Sequence, residues 1–320
     1  MVSKRIFITG IAGFIGFHLA LFLKKRGDFV TGCDNFNSYY DPELKRERAR
    51  ILREEGISFS ETDICQTAFL QTALVENEIT HLVHLAAQAG VRHSIKHPEP
   101  YVHSNLEGFV KVMEALRAAP KVKCVYASSS SVYGLNTKIP FSETDPTDSP
   151  ANLYGATKKS NELIAHAYHH LYGIPLTGLR FFTVYGPWGR PDMAYFSFTR
   201  AILAGEKIQV YNNGKMRRDF TYIDDIIQGT VAAIDLGAAS EIFNLGNNHP
   251  EDLLTLISLI EEHTKKRAKI ELLPMQPGEV ETTFADIAKS QKMLKFAPKT
   301  GLKEGMGKFV EWYLEERKKS

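Results

Sequence analysis

A tyrosine and a lysine four residues apart carry the clearest acid–base chemistry in this sequence. Tyr154 and Lys158 stand in the segment Tyr-Gly-Ala-Thr-Lys, at the start of a stretch that predicts a helix running to His170. A spacing of four places both side chains on one face of a helix. A phenol with its ordinary pKa of about 10 is a poor base at neutral pH, but a neighbouring ammonium favours the phenolate. The pair is a candidate acid/base site, although this spacing alone is more often structural.

Four consecutive serines, Ser128 to Ser131, form a second candidate position. They lie in Val-Tyr-Ala-Ser-Ser-Ser-Ser-Val-Tyr-Gly, residues 125–134, at the end of the fifth predicted strand. Ligands collect at the carboxyl ends of the strands in open α/β sheets. Hydroxyl groups placed there can bond a substrate hydroxyl or a developing oxyanion. The alternative is a polar loop without a catalytic role.

Three glycines at intervals of three follow the first predicted strand, in Thr-Gly-Ile-Ala-Gly-Phe-Ile-Gly. Gly10, Gly13 and Gly16 allow a sharp turn and a close approach to a diphosphate at the start of a helix. A glycine-rich turn without a ligand is the alternative, because such motifs have false positives. Asp34, 18 residues after Gly16, stands where a carboxylate can accept both ribose hydroxyls of an adenosine. A carboxylate there would repel a 2′-phosphate, so NAD is favoured over NADP.

Strand-length apolar runs alternate with helical stretches, which predicts an α/β fold: a Rossmann-type doubly wound parallel sheet with a smaller C-terminal α/β substrate lobe. The expected domains are residues 1–180, with a returning segment near 224–245, and residues 181–320. The predicted strands of the first domain are Arg5–Thr9, Phe29–Cys33, Ile57–Ser60, His81–Leu85, Val122–Ala127 and Leu176–Phe182, and its helices are Phe14–Arg26, Gln66–Glu76 and Tyr101–Ala118. Short strands near 208–211 and 220–223 and a final helix, Lys303–Arg317, are predicted for the second lobe.

These motifs, in this order, resemble the extended short-chain dehydrogenase/reductase family over nearly the whole chain. The resemblance also includes His84-Leu-Ala-Ala, the order Ser-Ser-x-x-Val-Tyr-Gly and then Tyr-x-x-x-Lys, and Arg180-Phe-Phe. Within the family, the UDP-glucuronate 4-epimerases are the most similar group, on the segments 34–41, 180–194 and 218–225. The activity implied is interconversion of UDP-glucuronate and UDP-galacturonate with tightly bound NAD, through a 4-keto sugar.

The resemblance implies a role for individual residues. Tyr154 would be the acid/base, Ser129 would bond the sugar O4, and Lys158 would bond the nicotinamide ribose and lower the phenol pKa. The implied NAD-binding residues are Gly10, Gly13, Phe14, Ile15, Gly16, Asp34, Asn35, Asp63, Ile64, Leu85, Ala86, Asn105, Tyr154 and Lys158. The implied substrate-binding residues are Ser128, Ser130, Thr183, Arg190, Arg218, Glu279 and Arg92. Gln276 stands where related UDP-hexose enzymes often have arginine.

The sugar carboxylate poses a chemical hazard, because a 4-keto glucuronyl group is a β-keto acid that loses CO₂ readily. Arg190 is the first candidate to hold that carboxylate, since its planar fork suits bidentate binding. Arg92 is the second candidate. A surface arginine in a proline-rich turn is the alternative for Arg190.

Residues at single positions separate this function from related ones. UDP-glucuronate decarboxylases carry Glu where Ser131 stands, and the 4,6-dehydratases carry an Asp-Glu pair that residues 125–134 lack. UDP-galactose 4-epimerase, which needs no carboxylate-binding arginine, is the runner-up. A non-catalytic nucleotide-sensing Rossmann protein is the alternative from another class, and the Tyr154–Lys158 pair disfavours it.

Composition excludes other classes. With 43% hydrophobic and 24% charged residues the chain is typical of globular proteins, and a net charge of +2 favours neither nucleic acid nor an anionic membrane. No secretion signal and no membrane-length apolar run are visible, so a cytoplasmic location is expected. Cys33, Cys65 and Cys124 are scattered, and no metal site is predicted, with His84 and His103 read as packing residues. The family resemblance implies a homodimer formed by the helices near 101–118 and 154–172.

Overall fold

Seven parallel strands form the main sheet in the part of the chain that the computed structural model describes, residues 3–319. The strand order is β10-β6-β5-β4-β1-β2-β3, and every pair of neighbours is parallel. The predicted doubly wound parallel sheet is therefore confirmed. The order reverses between β1 and β4, which creates the crevice where ligands bind in such sheets. The strands are β1 Arg5–Thr9, β2 Phe29–Asp34, β3 Phe59–Glu61, β4 His81–His84, β5 Lys123–Ser129, β6 Leu176–Phe181, β7 Thr183–Tyr185, β8 Lys207–Val210, β9 Arg217–Tyr222, β10 Ser240–Leu245, β11 Pro250–Asp252 and β12 Lys269–Leu272.

Helices cover both faces of this sheet. Buried side chains of α1 and α9 pack on one face, and those of α3, α6 and α7 pack on the other. The helices are α1 Phe14–Arg26, α2 Pro42–Glu54, α3 Thr67–Glu76, α4 Val91–Lys96, α5 Glu99–Tyr101, α6 Gly108–Ala118, α7 Leu153–Tyr172, α8 Ala194–Ala204, α9 Ile223–Leu236, α10 Leu253–Thr264, α11 Ala288–Leu294 and α12 Leu302–Lys319.

Two predicted elements differ in detail. The single helix expected over 101–118 is interrupted, because a π-helical turn, Val102–Glu107, joins α5 to α6. The strand expected over 57–60 lies two residues later, as β3, since the Ile57 amide is bonded to the Leu52 carbonyl at 2.9 Å and closes the preceding helix.

The second half of the chain supplies a smaller lobe and one strand of the main sheet. The lobe contains a three-stranded sheet, β11-β9-β7, and a β12-β8 pair. β10 pairs with β6 and lies in the segment predicted to return to the first domain. The position of the domain boundary near 180 stays a prediction. No helix within residues 3–319 is long and apolar enough to cross a membrane.

Candidate active site

The glycine loop between β1 and α1 offers backbone amides to an anion. Gly10 adopts φ +70°, a conformation that disfavours side chains, and its amide bonds the Cys33 carbonyl at 2.8 Å. A Cβ at Gly16 would lie 2.2 Å from the Gly10 carbonyl oxygen, so only glycine fits there. Gly13 caps α1 without any side-chain hydrogen bond. The first amides of α1 therefore remain available, together with the positive end of the helix dipole, for a diphosphate.

Asp34, at the end of β2, lies at the edge of the same pocket. Its carboxylate accepts hydrogen bonds from the amides of Ala12 at 3.1 Å and Phe36 at 2.9 Å. Burial raises its pKa, and those amides together with Lys45 act in the opposite direction. Lys45, which sequence reasoning missed, donates to the carbonyl and side-chain oxygens of Asn37 at 2.8 Å. This buried carboxylate is suited to accept ribose hydroxyls, so the arrangement fits an adenosine.

The start of α7 brings Tyr154 to the carboxyl end of β5. The Asn152 side chain caps the helix by accepting from the Gly155 amide at 2.9 Å. The Ser129 side chain lines the same pocket as the Tyr154 phenol and lowers the phenol pKa. One turn further along, the buried Lys158 donates to the Ala127 carbonyl at 2.9 Å. The residues that carry the predicted hydroxyl, phenol and ammonium groups therefore all line one pocket.

The electrostatics of this group differ from the expectation. Burial raises the pKa of Tyr154, while the Ser129 hydrogen bond and the charge of Arg190 lower it only in part. Burial also lowers the pKa of Lys158 to about 8. The predicted lowering of the phenol pKa by Lys158 is therefore not found in the chain alone, because the ammonium is directed to the Ala127 carbonyl. A positive charge from the cofactor is needed to favour phenolate.

The neighbouring serines do not share the role of Ser129. Ser128 lines the pocket, but its hydroxyl donates to buried Glu162 at 2.6 Å. Glu162 in turn forms a bidentate pair with Arg180, with both N–O distances 2.8 Å. The Ser128 proton is thus committed, so the predicted substrate contact is limited to accepting a hydrogen bond. Ser130 begins a 3₁₀ turn and is partly buried, but it is not among the residues that line the pocket.

Arg190 lines the same pocket as the glycine loop. Its guanidinium holds Asp192 in a bidentate pair, with Nη2–Oδ2 2.6 Å and Nε–Oδ1 3.1 Å. Tyr39 also donates to Asp192, at 3.0 Å, and lines the pocket. Sequence reasoning missed Asp192 and Tyr39, although the segment 34–41 that contains Tyr39 was part of the resemblance. Arg190, which is predicted to bind the sugar carboxylate, is thus already paired with the carboxylate of Asp192.

A second charged group, formed by Arg218, Glu279 and Arg92, joins three distant segments. The Glu279 carboxylate lies 3.1 Å from Arg218 Nη2 and 3.1 Å from Arg92 Nε. Arg92 also lies over the Tyr211 ring at 4.9 Å. Arg92, the second candidate for the sugar carboxylate, pairs its guanidinium with Glu279, beside the residue predicted for the diphosphate, and its role stays a prediction. Thr183 begins β7 and pairs with Phe220, outside the lining of the main pocket.

The remaining predicted cofactor residues divide into two sets. Asn105 is buried and bonds both backbone groups of Gln88 at 2.8 and 2.9 Å, and the Asp63 carboxylate accepts from Asn35 and from the Cys65 amide, both at 2.8 Å. Asn105 and Asp63 therefore support the pocket rather than line it. The predicted residues that line it are Gly10, Gly13, Phe14, Ile15, Gly16, Asp34, Asn35, Ile64, Leu85, Ala86, Ser128, Ser129, Tyr154, Lys158 and Arg190.

Buried Arg48 is a further residue that the sequence did not reveal. Its guanidinium donates to the Ala12 carbonyl in the glycine loop at 3.1 Å, and to the carbonyls of Trp188 and Gly189 at 2.6 and 3.1 Å. It thereby ties the cofactor loop to the segment that carries Arg190. α2 is rich in charged residues, and no local signal in the sequence marked Arg48 among them.

Fold and site together define the class: a Rossmann-type dinucleotide-binding protein with a serine–tyrosine–lysine group at the crevice. Comparison with known proteins supports this class. A profile described as the NAD dependent epimerase/dehydratase family matches residues 6–246. This chain belongs to that family, which confirms the predicted resemblance and the predicted cofactor, NAD.

Individual relatives extend the comparison. UDP-glucuronate 4-epimerase 3 of Arabidopsis thaliana is 50% identical, over 97% of this chain and 76% of the relative. The structure of UDP-glucuronic acid 4-epimerase from Bacillus cereus, in complex with UDP-glucuronic acid and NAD, has a TM-score of 0.92 at 36% identity and covers 98% of this chain and 100% of its own. UDP-glucose 4-epimerase from Thermotoga maritima, with UDP-glucose, has a TM-score of 0.89 at 29% identity, with 98% and 100% covered.

Proposed function

We propose that this protein is an isomerase that interconverts UDP-glucuronate and UDP-galacturonate by inverting C4 of the sugar. The observation that carries the proposal is the shared pocket: the glycine loop, Ser129, Tyr154 and Arg190 all line it. An acid/base and a carboxylate-binding arginine therefore face one space beside a diphosphate-binding loop. The Arabidopsis thaliana and Bacillus cereus relatives named above support the same activity.

Each residue of the serine–tyrosine–lysine group has a distinct part in this reaction. Bound NAD would accept the hydride from sugar C4 and return it. Tyr154 takes the proton of the 4-hydroxyl and later gives it back, in the manner of a positioned general base and acid. Ser129, which lines the pocket together with Tyr154, bonds the sugar O4 and orients it toward the phenol. Lys158 holds the nicotinamide ribose and keeps a positive charge near the phenol.

Arg190 gives the pocket its preference for an acidic sugar. A guanidinium has five N–H groups, and the pair with Asp192 uses two of them. The remaining donors bind the sugar carboxylate and hold it where loss of CO₂ from the keto intermediate is disfavoured. Tyr39, which bonds Asp192, fixes this arrangement from the cofactor side.

The nucleotide end of the substrate is assigned to the charged group around Glu279. Arg218 binds the diphosphate, and Glu279 lies close enough to orient it and to accept a uridine ribose hydroxyl. Thr183 contacts the UDP-sugar between the two ends.

NMR of the purified enzyme with UDP-glucuronate, and separately with UDP-glucose, tests the proposal without added reductant. Formation of UDP-galacturonate with little reaction of UDP-glucose is the expected result. Reaction of UDP-glucose alone would replace the substrate by that of the Thermotoga maritima relative, while release of UDP-xylose would indicate a decarboxylase.

We also propose a homodimer, formed by the faces of α6 and α7. Large apolar side chains are exposed along these helices and the adjoining π-helical turn: Val102, Val110, Leu163, Leu171 and Tyr172. Two copies of such a patch would bury it in an isologous interface. Light scattering should give twice the chain mass, and Leu163→Glu should give the monomer mass; a monomeric wild-type protein would disprove the dimer.

A cytoplasmic location is the last part of the proposal. Cys33, Cys65 and Cys124 are all free thiols, which agrees with a reducing compartment. Fractionation of the source cells followed by immunodetection tests this location, and recovery in a secreted fraction would refute it.

A further inference from the structure

A cluster of potential metal ligands lies at the outer edge of the nucleotide pocket, outside the catalytic group. Asp63 and Cys65 stand in the turn after β3, and His103 lies in the π-helical turn before α6. Their carboxylate oxygen, Sγ and ring nitrogen all lie within 4.8 Å of one another. We propose that Asp63, Cys65 and His103 form a site for one Zn²⁺ ion, with a water molecule as the fourth ligand.

The distances match those between ligands of a tetrahedral zinc ion. With metal bonds of the usual lengths, a nitrogen and an oxygen ligand lie about 3.3 Å apart, and a nitrogen and a sulfur ligand about 3.6 Å. Here His103 Nε2 lies 3.4 Å from Asp63 Oδ1 and 3.6 Å from Cys65 Sγ. The His103 side chain is about half exposed, so a small rotation of its ring can align the lone pair with the ion.

The surroundings of His103 supply a second, independent indication. Zinc-binding histidines commonly donate their other ring nitrogen to a carboxylate, which fixes the tautomer and orients the ring. Glu107, one turn along the chain, places Oε2 3.3 Å from His103 Nδ1. The ring therefore has Glu107 on its Nδ1 side and Asp63 on its Nε2 side, while Cys65 Sγ lies 3.7 Å from Nδ1 and 3.6 Å from Nε2.

Charge and protonation are consistent with a bound cation. Asp63 Oδ2 accepts from Asn35, while Oδ1 accepts from the Cys65 amide at 2.8 Å, lies on the side of His103 and keeps a lone pair for a cation. Zinc takes cysteine as a thiolate, so binding should displace the Cys65 proton and weaken at low pH.

The site would join two segments that border the adenosine end of the pocket. Thr62 and Ile64, which flank Asp63, line the pocket, and so does Ser104, which follows His103. An ion bound there would link the turn after β3 to the helix that follows β4. The ion would stabilise these two segments, which support the cofactor, and it would take no part in the proton transfer at Tyr154.

Zinc binding to the purified NAD-loaded enzyme tests the site. The protein is stripped of metal with a chelator and then titrated with Zn²⁺ in competition with a chromophoric indicator. The same titration is repeated with the variants Cys65→Ser, His103→Ala and Glu107→Gln. One ion per chain is expected, with at least about tenfold weaker binding in each of the three variants. Co²⁺ in place of Zn²⁺ should give a thiolate charge-transfer band that is absent in Cys65→Ser.

His249→Ala is the matched control, since His249 is an exposed histidine that pairs with Glu251 at 3.4 Å without a nearby thiol. Its zinc affinity should equal that of the wild type. Absence of zinc binding by the wild type would overturn the site, as would equal binding by His103→Ala, a change at an exposed side chain that leaves the fold intact. Circular dichroism of each variant checks that fold.

Discussion

Two regions of the pocket hold their functional groups in different ways. The cofactor floor, which we define as the glycine loop, Asp34, Tyr154 and Lys158, is held by backbone hydrogen bonds and burial. The substrate rim, which we define as Arg190, Asp192, Arg218, Glu279 and Arg92, is held by ion pairs between side chains. Lys158 of the floor donates to a carbonyl, whereas Arg190 of the rim is paired with a carboxylate.

This difference has consequences for chemistry and for specificity. Burial perturbs the floor residues, raising the pKa of Tyr154 and lowering that of Lys158. The charged rim residues already have partners within the protein, so a substrate anion must share or displace those partners. Under the proposed function the floor would set the reaction, and the rim would select the sugar nucleotide.

The largest effect is expected from Tyr154→Phe, which removes the acid/base of the floor. General acid–base catalysis contributes about 10²- to 10⁴-fold, so kcat should fall by that amount. The measurement is epimerisation of UDP-glucuronate followed by NMR, with bound NAD checked by absorbance. Tyr168→Phe is the control on the same helix, since Tyr168 bonds Glu114 at 2.6 Å, and it should keep full activity. Normal turnover in Tyr154→Phe would show that the floor is not the reacting site.

Arg190→Ala should have the next largest effect, and it tests the rim. Loss of a hydrogen bond to a charged group costs about 1.5–3 kcal/mol, so kcat/KM for UDP-glucuronate should fall about ten- to hundredfold. Arg190→Lys keeps the positive charge but lacks the planar guanidinium, so its kcat/KM should lie between those of the wild type and Arg190→Ala. Arg200→Ala, at an exposed position on α8, is the control. An equal fall in kcat/KM with UDP-glucose would mean that Arg190 does not bind the sugar carboxylate.

A pH effect is expected from His84, which lies beneath the floor. Burial, with a smaller contribution from Lys158, lowers its pKa to about 3, and its Nδ1 lies 2.8 Å from the Thr9 hydroxyl. Below pH 6.5, His84 binds a proton in the unfolded chain but stays neutral in the folded chain. The free energy of unfolding should therefore fall by on the order of 1–2 kcal/mol between pH 7 and pH 5.

Urea unfolding between pH 7 and pH 5 measures this effect. His84→Asn, which can still bond Thr9, should show a flatter pH dependence, and the exposed His249→Asn should not. If the slopes of wild type and His84→Asn coincide, His84 is not the group that titrates.

The smallest effect is expected from Glu279→Gln at the outer rim. Partly exposed ion pairs contribute about 0–1 kcal/mol, so KM should rise no more than about fivefold while kcat is unchanged. Initial rates at several UDP-glucuronate concentrations separate the two constants. Glu281→Gln is the control, because Arg218 contacts its backbone carbonyl and not its carboxylate. A large fall in kcat would instead indicate that Glu279 takes part in the reaction at Tyr154.

The floor was predictable from the sequence because its signals are local. Glycine spacing, an acidic residue after the second strand and a four-residue helical spacing are all read within short windows, and the strand ends follow from the apolar runs. Asn105 and Asp63 were assigned to the cofactor from the resemblance, yet they act on Gln88 and on the turn near Cys65. A motif match does not say whether a side chain faces the ligand or supports the wall behind it.

The rim was less predictable because its partners are far apart in sequence. Glu279 meets Arg218 and Arg92 from positions 61 and 187 residues away. Arg48 joins Ala12 to the Trp188–Gly189 carbonyls across a similar span. The resemblance named Arg218, Glu279 and Arg92, but no short window indicated that they pair with one another, and nothing in the sequence marked Arg48.

The sequence by itself determined the fold class and the position of the cofactor loop, since hydrophobic periodicity and backbone-dependent glycines act over a few residues. It put forward Tyr154 as the acid/base through the family resemblance. Only the tertiary structure decided which carboxylate pairs with the Arg190 guanidinium and that His103 lies beside Cys65. Those outcomes depend on packing and charge pairing between segments that the chain brings together only when it folds.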